Sequence, residues 1–298
     1  MITFLNETCS MARKIVADIM GCELECVRDV EPLKAGMTND SFVFGIDGHS
    51  EKYIIRVPGR GTDMLINRNQ EYDVYQKIIP LGLSDEVVHI DPKRGYKITK
   101  FWESARTCYP YNHADLTACM NKLRSFHRSG LVVQHEFCPF ERIEFYERLW
   151  GGKASAYADY KAVKTSVLAL AGYVADQPKD YTLTHVDAVP DNFIFLPGGE
   201  LRLIDWEYAA MQDPHLDIAM FIVYAMYDRK DAETLIDLYF AEGCGRGVRR
   251  KIYAYVAVCG LLWSNWCEYK KTLGEEFGVY ALRQYEFAKE YSRVFAQS

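Results

Sequence analysis

No stretch of the 298-residue chain is long and apolar enough to cross a bilayer. The longest uninterrupted apolar stretches, Ile218 to Tyr227 and Ala254 to Trp263, fall well short of the roughly 18 residues a helical span needs. Arg13 and Lys14 lie inside an amphipathic stretch and not ahead of an apolar block, so no secretory signal is read and a cytoplasmic protein is expected. An excess of positive charge is also missing. Lys and Arg number 35 against 41 Asp and Glu, a formal net charge of −6, which excludes a surface built to neutralise a nucleic-acid backbone. The one compact basic cluster, Arg246 to Lys251, reads as the solvated start of a helix. Nine cysteines show no paired two-residue spacings, and Cys22 with Cys26 alone makes no metal site. Most are expected to be small buried apolar residues in a reducing compartment. There is no low-complexity linker and no repeat of 20 to 50 residues. With 49% hydrophobic and 26% charged residues, the chain has enough apolar material for a full core and is neither disordered nor fibrous.

The pattern of apolar residues changes along the chain. Residues 7 to 20 place Met11, Ile15, Ile19 and Met20 at helical spacing, and Val27, Val30 and Leu33 then introduce a strand-like segment. Ser41 to Asp47 and Lys52 to Val57 are β-rich and meet at Asp47-Gly48, a strong hairpin signal. After the loop from Gly59 to Asp63, which offers an N-cap, Tyr72, Tyr75 and Ile79 predict a helix over 64–79. Val87 to Ile90 and Tyr96 to Phe101 read as a second hairpin. From about residue 113 helical patterns dominate, over 113–129, 156–175, 215–227, 231–242 and 248–295, around a β-like island at 182–204. The expected division is 1–101 and 102–298, with the seam near 101 to 105.

That island carries the chemistry. His185, Asp187, Asn192 and Asp205 follow one another so that an Asp is succeeded by an Asn five residues later and another Asp thirteen beyond it. Phosphoryl transfer from ATP needs a carboxylate to orient the attacking hydroxyl and accept its proton, and an amide with a carboxylate to hold Mg²⁺. The catalytic loop of protein kinases has the same Asp-to-Asn spacing. A His-x-Asp pair alone would be a surface turn with a capping carboxylate. Asn192, the two β-like segments and an Asp at the end of an apolar run favour the kinase reading.

Upstream, a kinase needs a phosphate-covering turn, a cation on the third strand and an acid on the next helix. The turn Ala35-Gly36-Met37-Thr38-Asn39, with the Thr38 and Asn39 side chains, is the candidate for the first. It lacks a full glycine-rich signature, and alone it is a turn. Arg56 and Glu71 are candidates for the pair, because a guanidinium can engage a carboxylate and a phosphate together. By itself Arg56 would be a solvent-facing strand residue.

With these residues in hand, the chain resembles the choline kinase family, in particular the bacterial choline and ethanolamine kinase branch of the aminoglycoside-phosphotransferase-like kinases. The resemblance is carried by Gly36-Met37-Thr38-Asn39, by Tyr53 to Thr62 with Ile66-Asn67-Arg68 and Glu71, and by His185 to Phe193. Leu203 to Tyr208 with Asp213-Pro214 and Asp217, and Trp263-Ser264-Asn265-Trp266, complete it. It implies an α+β, protein-kinase-like two-lobed fold: a small antiparallel N-terminal sheet with one helix, and a larger, mainly helical C-terminal lobe. ATP would bind between the lobes with its adenine near Lys100 and Phe101. Asp187 would be the base, Asn192 and Asp205 would hold Mg²⁺, Arg56 and Glu71 would position phosphates, and His185 would brace the loop. A homodimer is the candidate assembly, with no nucleic-acid partner.

A quaternary ammonium has no N–H to donate and is held best by aromatic faces. The resemblance places Tyr208, Trp263 and Trp266 in such a cage, although the spacing of the two tryptophans alone reads rather as ordinary core residues of a helical lobe. Two positions depart from the family. Val186 stands where asparagine is usual, and Tyr224 stands where a carboxylate often provides a counter-charge, leaving an aromatic that packs or contributes a cation–π face. The expected reaction is phosphorylation of choline to phosphocholine and ADP. Ethanolamine, thiamine and an aminoglycoside are the alternative acceptors, and a nucleotide-binding pseudokinase is the alternative of another class.

Overall fold

The computed structural model describes residues 2–33, 37–151 and 154–297, so Ala35 and Gly36 of the expected turn lie outside the described residues. The chain divides into two compact units. One comprises Met1–Arg106 and Ile194–Glu207, the other Thr107–Phe193 and Tyr208–Ser298. The boundary expected near 101 is therefore crossed three times. Residues 194–207 return to the first unit because Leu203 N–H donates to Leu83 O at 3.4 Å and Arg202 donates to Gly82 O at 2.6 Å.

In the first unit, helix α1 (Ile2–Met20) precedes strands β1 (Val27–Pro32), β2 (Asn39–Ile46) and β3 (Lys52–Pro58). Helix α2 (Arg68–Ile78) and strands β4 (Val87–Ile90) and β5 (Lys97–Lys100) follow. The strands form an antiparallel sheet in the order β1-β2-β3-β5-β4. Alternation along β2 and β3 puts Phe42, Phe44, Ile46, Tyr53, Ile55 and Val57 on one face, where they pack with Ala12 and Val16 of α1. Arg56, between Ile55 and Val57, points to the other face. Helix α2 begins at 68 and not at 64. Asn67 is its cap, with its side-chain oxygen accepting from Asn69 and Gln70 N–H at 3.1 and 3.3 Å, while Thr62–Met64 is a separate 3₁₀ turn.

The second unit is mostly helical. Its helices are α3 (His113–His127), α4 (Pro139–Leu149), α5 (Tyr160–Leu168), α6 (Leu170–Asp176), α7 (His215–Tyr224), α8 (Arg229–Tyr239), α9 (Arg246–Thr272) and α10 (Gly278–Gln297). Two short strands, Thr182–Thr184 and Ala210–Gln212, pair antiparallel. Helix α4 is absent from the sequence expectations, the 156–175 pattern is two helices, and the 248–295 pattern breaks after Thr272. Helix α9 is the buried centre, packed by α4, α7 and α10. Gly260 permits the α9–α10 crossing, since a Cβ there would stand 2.7 Å from Gln284 O and 2.8 Å from Ala288 N. The basic cluster is not wholly solvated: Lys251 is buried, with its ammonium 2.6 Å from Asp213. No described helix is long and apolar enough to cross a membrane.

Candidate active site

In the first unit, the sheet face that carries Arg56 holds a network of two guanidinium groups and three carboxylates. Arg56 is buried and donates to both oxygens of Glu71, to Oε2 at 2.9 Å, and to Gly95 O at 3.1 Å. Arg68, at the start of α2, donates to Glu71 Oε2 at 2.7 Å, Glu207 Oε2 at 2.8 Å and Asn39 Oδ1 at 2.8 Å. Asn39 closes the ring by donating to Glu207 Oε2 at 2.8 Å. Carboxylate oxygens of Glu71, Asp205 and Glu207 all lie within 4.8 Å of one another, and Arg56 Nη1 stands 3.7 Å from Asp205 and 3.6 Å from Glu207. Burial opposes the charge of Glu71, but Arg56 outweighs it and holds the carboxyl at about 2. Glu207 goes the other way: burial, then the neighbouring Asp205, push it up to about 6 against the pull of Arg56 and Arg68.

Asp205 follows the strand Leu201–Leu203 with φ +65°, a left-handed conformation that Asp tolerates better than most residues. The turn is closed by Trp206 Nε1–H donating to Leu203 O at 2.8 Å. Asp205 Oδ1 is buried and accepts no hydrogen bond. A hard divalent cation takes oxygen ligands, so this carboxylate fits the expected Mg²⁺.

Other expected nucleotide contacts have local partners. Thr38 O accepts from the Thr62 hydroxyl at 2.8 Å and lies so near Gly59 that a Cβ there would come within 2.4 Å. Asn39 has both ends of its amide committed to Arg68 and Glu207. Lys100 reaches Glu51 at 2.9 Å and Glu86 at 3.3 Å, and Phe101 N–H donates to Lys52 O at 2.9 Å.

In the second unit, the loop after Thr184 is built around Asp217, which is fully buried in the first turn of α7. Asp217 accepts from His185 N–H at 3.0 Å and Val186 N–H at 2.7 Å, and its Oδ2 is 2.9 Å from His127 Nε2. Val186 has φ +69°. That conformation costs a β-branched residue more than the asparagine usual in the family. Asp187 comes next, half-buried, and Asn192 Nδ2 donates to its backbone oxygen at 2.9 Å and its Oδ2 at 3.3 Å. His185 is buried, and its backbone N–H is the group that meets Asp217.

The same unit contains a continuous aromatic chain. Tyr208 meets Trp263 at 5.8 Å between ring centroids, Trp263 meets Trp266 at 5.8 Å, Trp266 meets Phe277 at 5.0 Å, and Phe277 meets Tyr280 at 6.5 Å. Tyr280 meets Tyr224 at 6.0 Å, and Tyr224 donates its phenolic hydrogen to Asp191 at 3.0 Å. The interplanar angles run from 51 to 90°, so the rings meet tilted or edge to face and not as a flat stack. Burial, and then the charges of Asp191 and Asp187, raise the Tyr224 phenol above its ordinary range.

The expected residues thus fall into two sets. Thr38, Asn39, Arg56, Glu71, Lys100, Phe101 and Asp205 are in the first unit; His185, Asp187, Asn192, Tyr208, Tyr224, Trp263 and Trp266 are in the second. Arg68, Glu207 and Asp217 carried no assigned role in the sequence. Phe277 and Tyr280 were hidden by reading 248–295 as one helix, when both lie at the turn into α10.

The pattern of the phosphotransferase enzyme family matches residues 29–255. Protein LicA of Haemophilus influenzae is 31% identical over 267 residues, spanning 85% of this chain and 77% of that protein. Among solved structures, choline kinase LicA from Streptococcus pneumoniae superposes with a TM-score of 0.84 at 30% identity, over 97% of this chain and 99% of that one. A structure of LicA in complex with AMP superposes with a TM-score of 0.81 at 31% identity, over 96% and 98% of the two chains. A family pattern over most of the length, and a fold shared with the solved choline kinase LicA, lead to one conclusion: the chain belongs to the phosphotransferase enzyme family and has its protein-kinase-like fold.

Proposed function

We propose that this enzyme is a Mg²⁺-dependent choline kinase, which transfers the terminal phosphoryl group of ATP to the choline hydroxyl and releases phosphocholine and ADP. The observation that carries the reading is the aromatic chain from Tyr208 to Tyr224 in the unit that holds Asp187. A methylated cation offers no hydrogen-bond donors, so angled aromatic walls suit it. They are a poor match for an aminoglycoside, whose several ammonium groups call for an open acidic cleft.

Asp187 orients the acceptor hydroxyl and takes its proton as the oxygen–phosphorus bond forms and the bond to the β-phosphate oxygen breaks. Asn192 keeps that carboxylate in place through its NH₂ group, so its carbonyl oxygen is the end that would meet a cation. In the first unit, the buried Oδ1 of Asp205 is likewise an oxygen that a cation would meet. When bound, Mg²⁺ neutralises phosphate charge and aligns the transferred group. Arg56, fixed by Glu71, presents fixed positive charge to the nucleotide phosphates.

The test is ADP release from ATP and Mg²⁺ with choline, ethanolamine, thiamine and kanamycin in parallel, with Asp187→Ala as the control for contaminating kinases. Turnover is expected to be fastest with choline and absent from the variant. Preference for another acceptor would overturn the substrate, and nucleotide binding without turnover on any acceptor would overturn the activity.

A further inference from the structure

Asp191 is a second carboxylate in the catalytic loop, half-buried in the single turn Pro190–Asn192 and four residues from Asp187. Tyr224, the last residue of α7, donates to its Oδ2 at 3.0 Å. The same tyrosine packs its ring against Tyr280 at 6.0 Å and 67°, and Tyr280 leads through Phe277 to Trp266 and Trp263. The charge of Asp187 is felt at both Tyr224 and Tyr280. One short path of contacts therefore joins Asp191 to the aromatic rings, within reach of the charge of Asp187.

Aromatic faces attract a cation through the ring quadrupole but leave its net charge uncompensated. In a partly desolvated pocket that charge is held better beside an anion. Asp187 serves this purpose only until it takes the hydroxyl proton, after which its charge is neutralised. Asp191 takes no proton in the reaction. Its tie to Tyr224 is a hydrogen bond from a neutral phenol, which orients the carboxylate without cancelling its charge. A quaternary ammonium has no N–H, so attraction over several ångströms suffices and direct hydrogen-bond contact is not required.

We propose that Asp191, held in place by Tyr224, is the counter-charge for the acceptor's ammonium group and selects a cationic alcohol over a neutral one of the same shape. This inference rests on the choline kinase reading and adds a residue that determines its specificity. It assigns to Tyr224 a second function beside that of a ring wall: a ligand for the carboxylate that does the selecting.

The experiment compares choline with 3,3-dimethylbutan-1-ol, its uncharged carbon isostere, on the wild type, Asp191→Asn and Tyr224→Phe. Asparagine keeps an oxygen for the Tyr224 hydroxyl and removes the charge. KM for choline is expected to rise about tenfold, the equivalent of about 1.4 kcal/mol, with kcat little changed. The isostere's kcat/KM should stay within about twofold, so the preference for choline over the isostere collapses about tenfold. Tyr224→Phe, which keeps the charge but frees it, should lower the same preference by a smaller factor. Parallel losses on both acceptors would overturn the proposal in favour of a purely structural tie between loop and helix. An unchanged preference would overturn it as well, and Tyr224→Phe decides the matter if Asp191→Asn does not fold. A wild type inert toward choline overturns the underlying reading first, and that failure is visible before any variant is made.

Discussion

Asp217 accepts the backbone N–H of Val186 at 2.7 Å while Val186 is held at φ +69°. The carboxylate thus fixes a conformation that a β-branched residue would otherwise leave, one residue before Asp187, the proposed base.

Asp217→Asn tests that relationship. The new NH₂ group must face a backbone N–H or His127, since Asp217 meets Val186 with one oxygen and His185 and His127 with the other. One buried donor is left unsatisfied, at a cost of about 1–3 kcal/mol. Urea unfolding should show that loss, and steady-state kinetics should show kcat reduced about tenfold or more with KM for ATP little changed. A full-activity variant would mean that the loop keeps its shape without Asp217.

Arg68→Lys addresses the first unit. The guanidinium meets Glu71, Glu207 and Asn39 together through its planar fork, and a lysine ammonium cannot reproduce that geometry. An ammonium cannot serve all three, so at least one buried acceptor of the set loses its donor, and the enzyme should become less stable by about 1–3 kcal/mol. Because Arg68 shares Glu71 with Arg56, KM for ATP should rise several-fold with KM for the acceptor unchanged. Equal changes in both constants would count against a role confined to the nucleotide side.

Much of this architecture is legible in the sequence, for identifiable reasons. The β-rich runs of β2 and β3 and the Asp47-Gly48 turn between them give the hairpin. The Asp187, Asn192 and Asp205 spacing points to the proposed chemistry, because base and metal positions of a kinase are tied to a short loop and the strand after it. Helix α2 starts late because Asn67 caps it while Thr62–Met64 closes a separate 3₁₀ turn, a distinction that spacing does not reveal. Phe277 and Tyr280 escaped because the apolar period of α9 continues in α10, and only the turn between them puts both residues beside Trp266 and Tyr224. Arg68 and Glu207 are 139 positions apart, and no local pattern encodes such a pairing.

Acid should expose a further buried group, His215. Burial is the largest cause that moves its pKa from 6.5 to about 4; Asp213 pulls it up, but Lys251 and His127 add to the fall. The folded state therefore keeps this ring neutral where the unfolded chain already takes a proton. For a histidine with a depressed folded pKa, the stabilisation is complete above pH 6.5 and declines as pH falls toward 4. At pH 4.5 the loss should be about 2–3 kcal/mol, since a tenfold difference in proton affinity between the folded and unfolded chain is worth about 1.36 kcal/mol. His215→Phe keeps a ring against Tyr239 and Phe240 and has no proton to gain. Urea unfolding at pH 7 and pH 4.5 should show a difference between the two conditions smaller by about that amount in the variant. Parallel pH dependence in both proteins would show that the acid sensitivity lies elsewhere, and would leave His215 as a packing residue only.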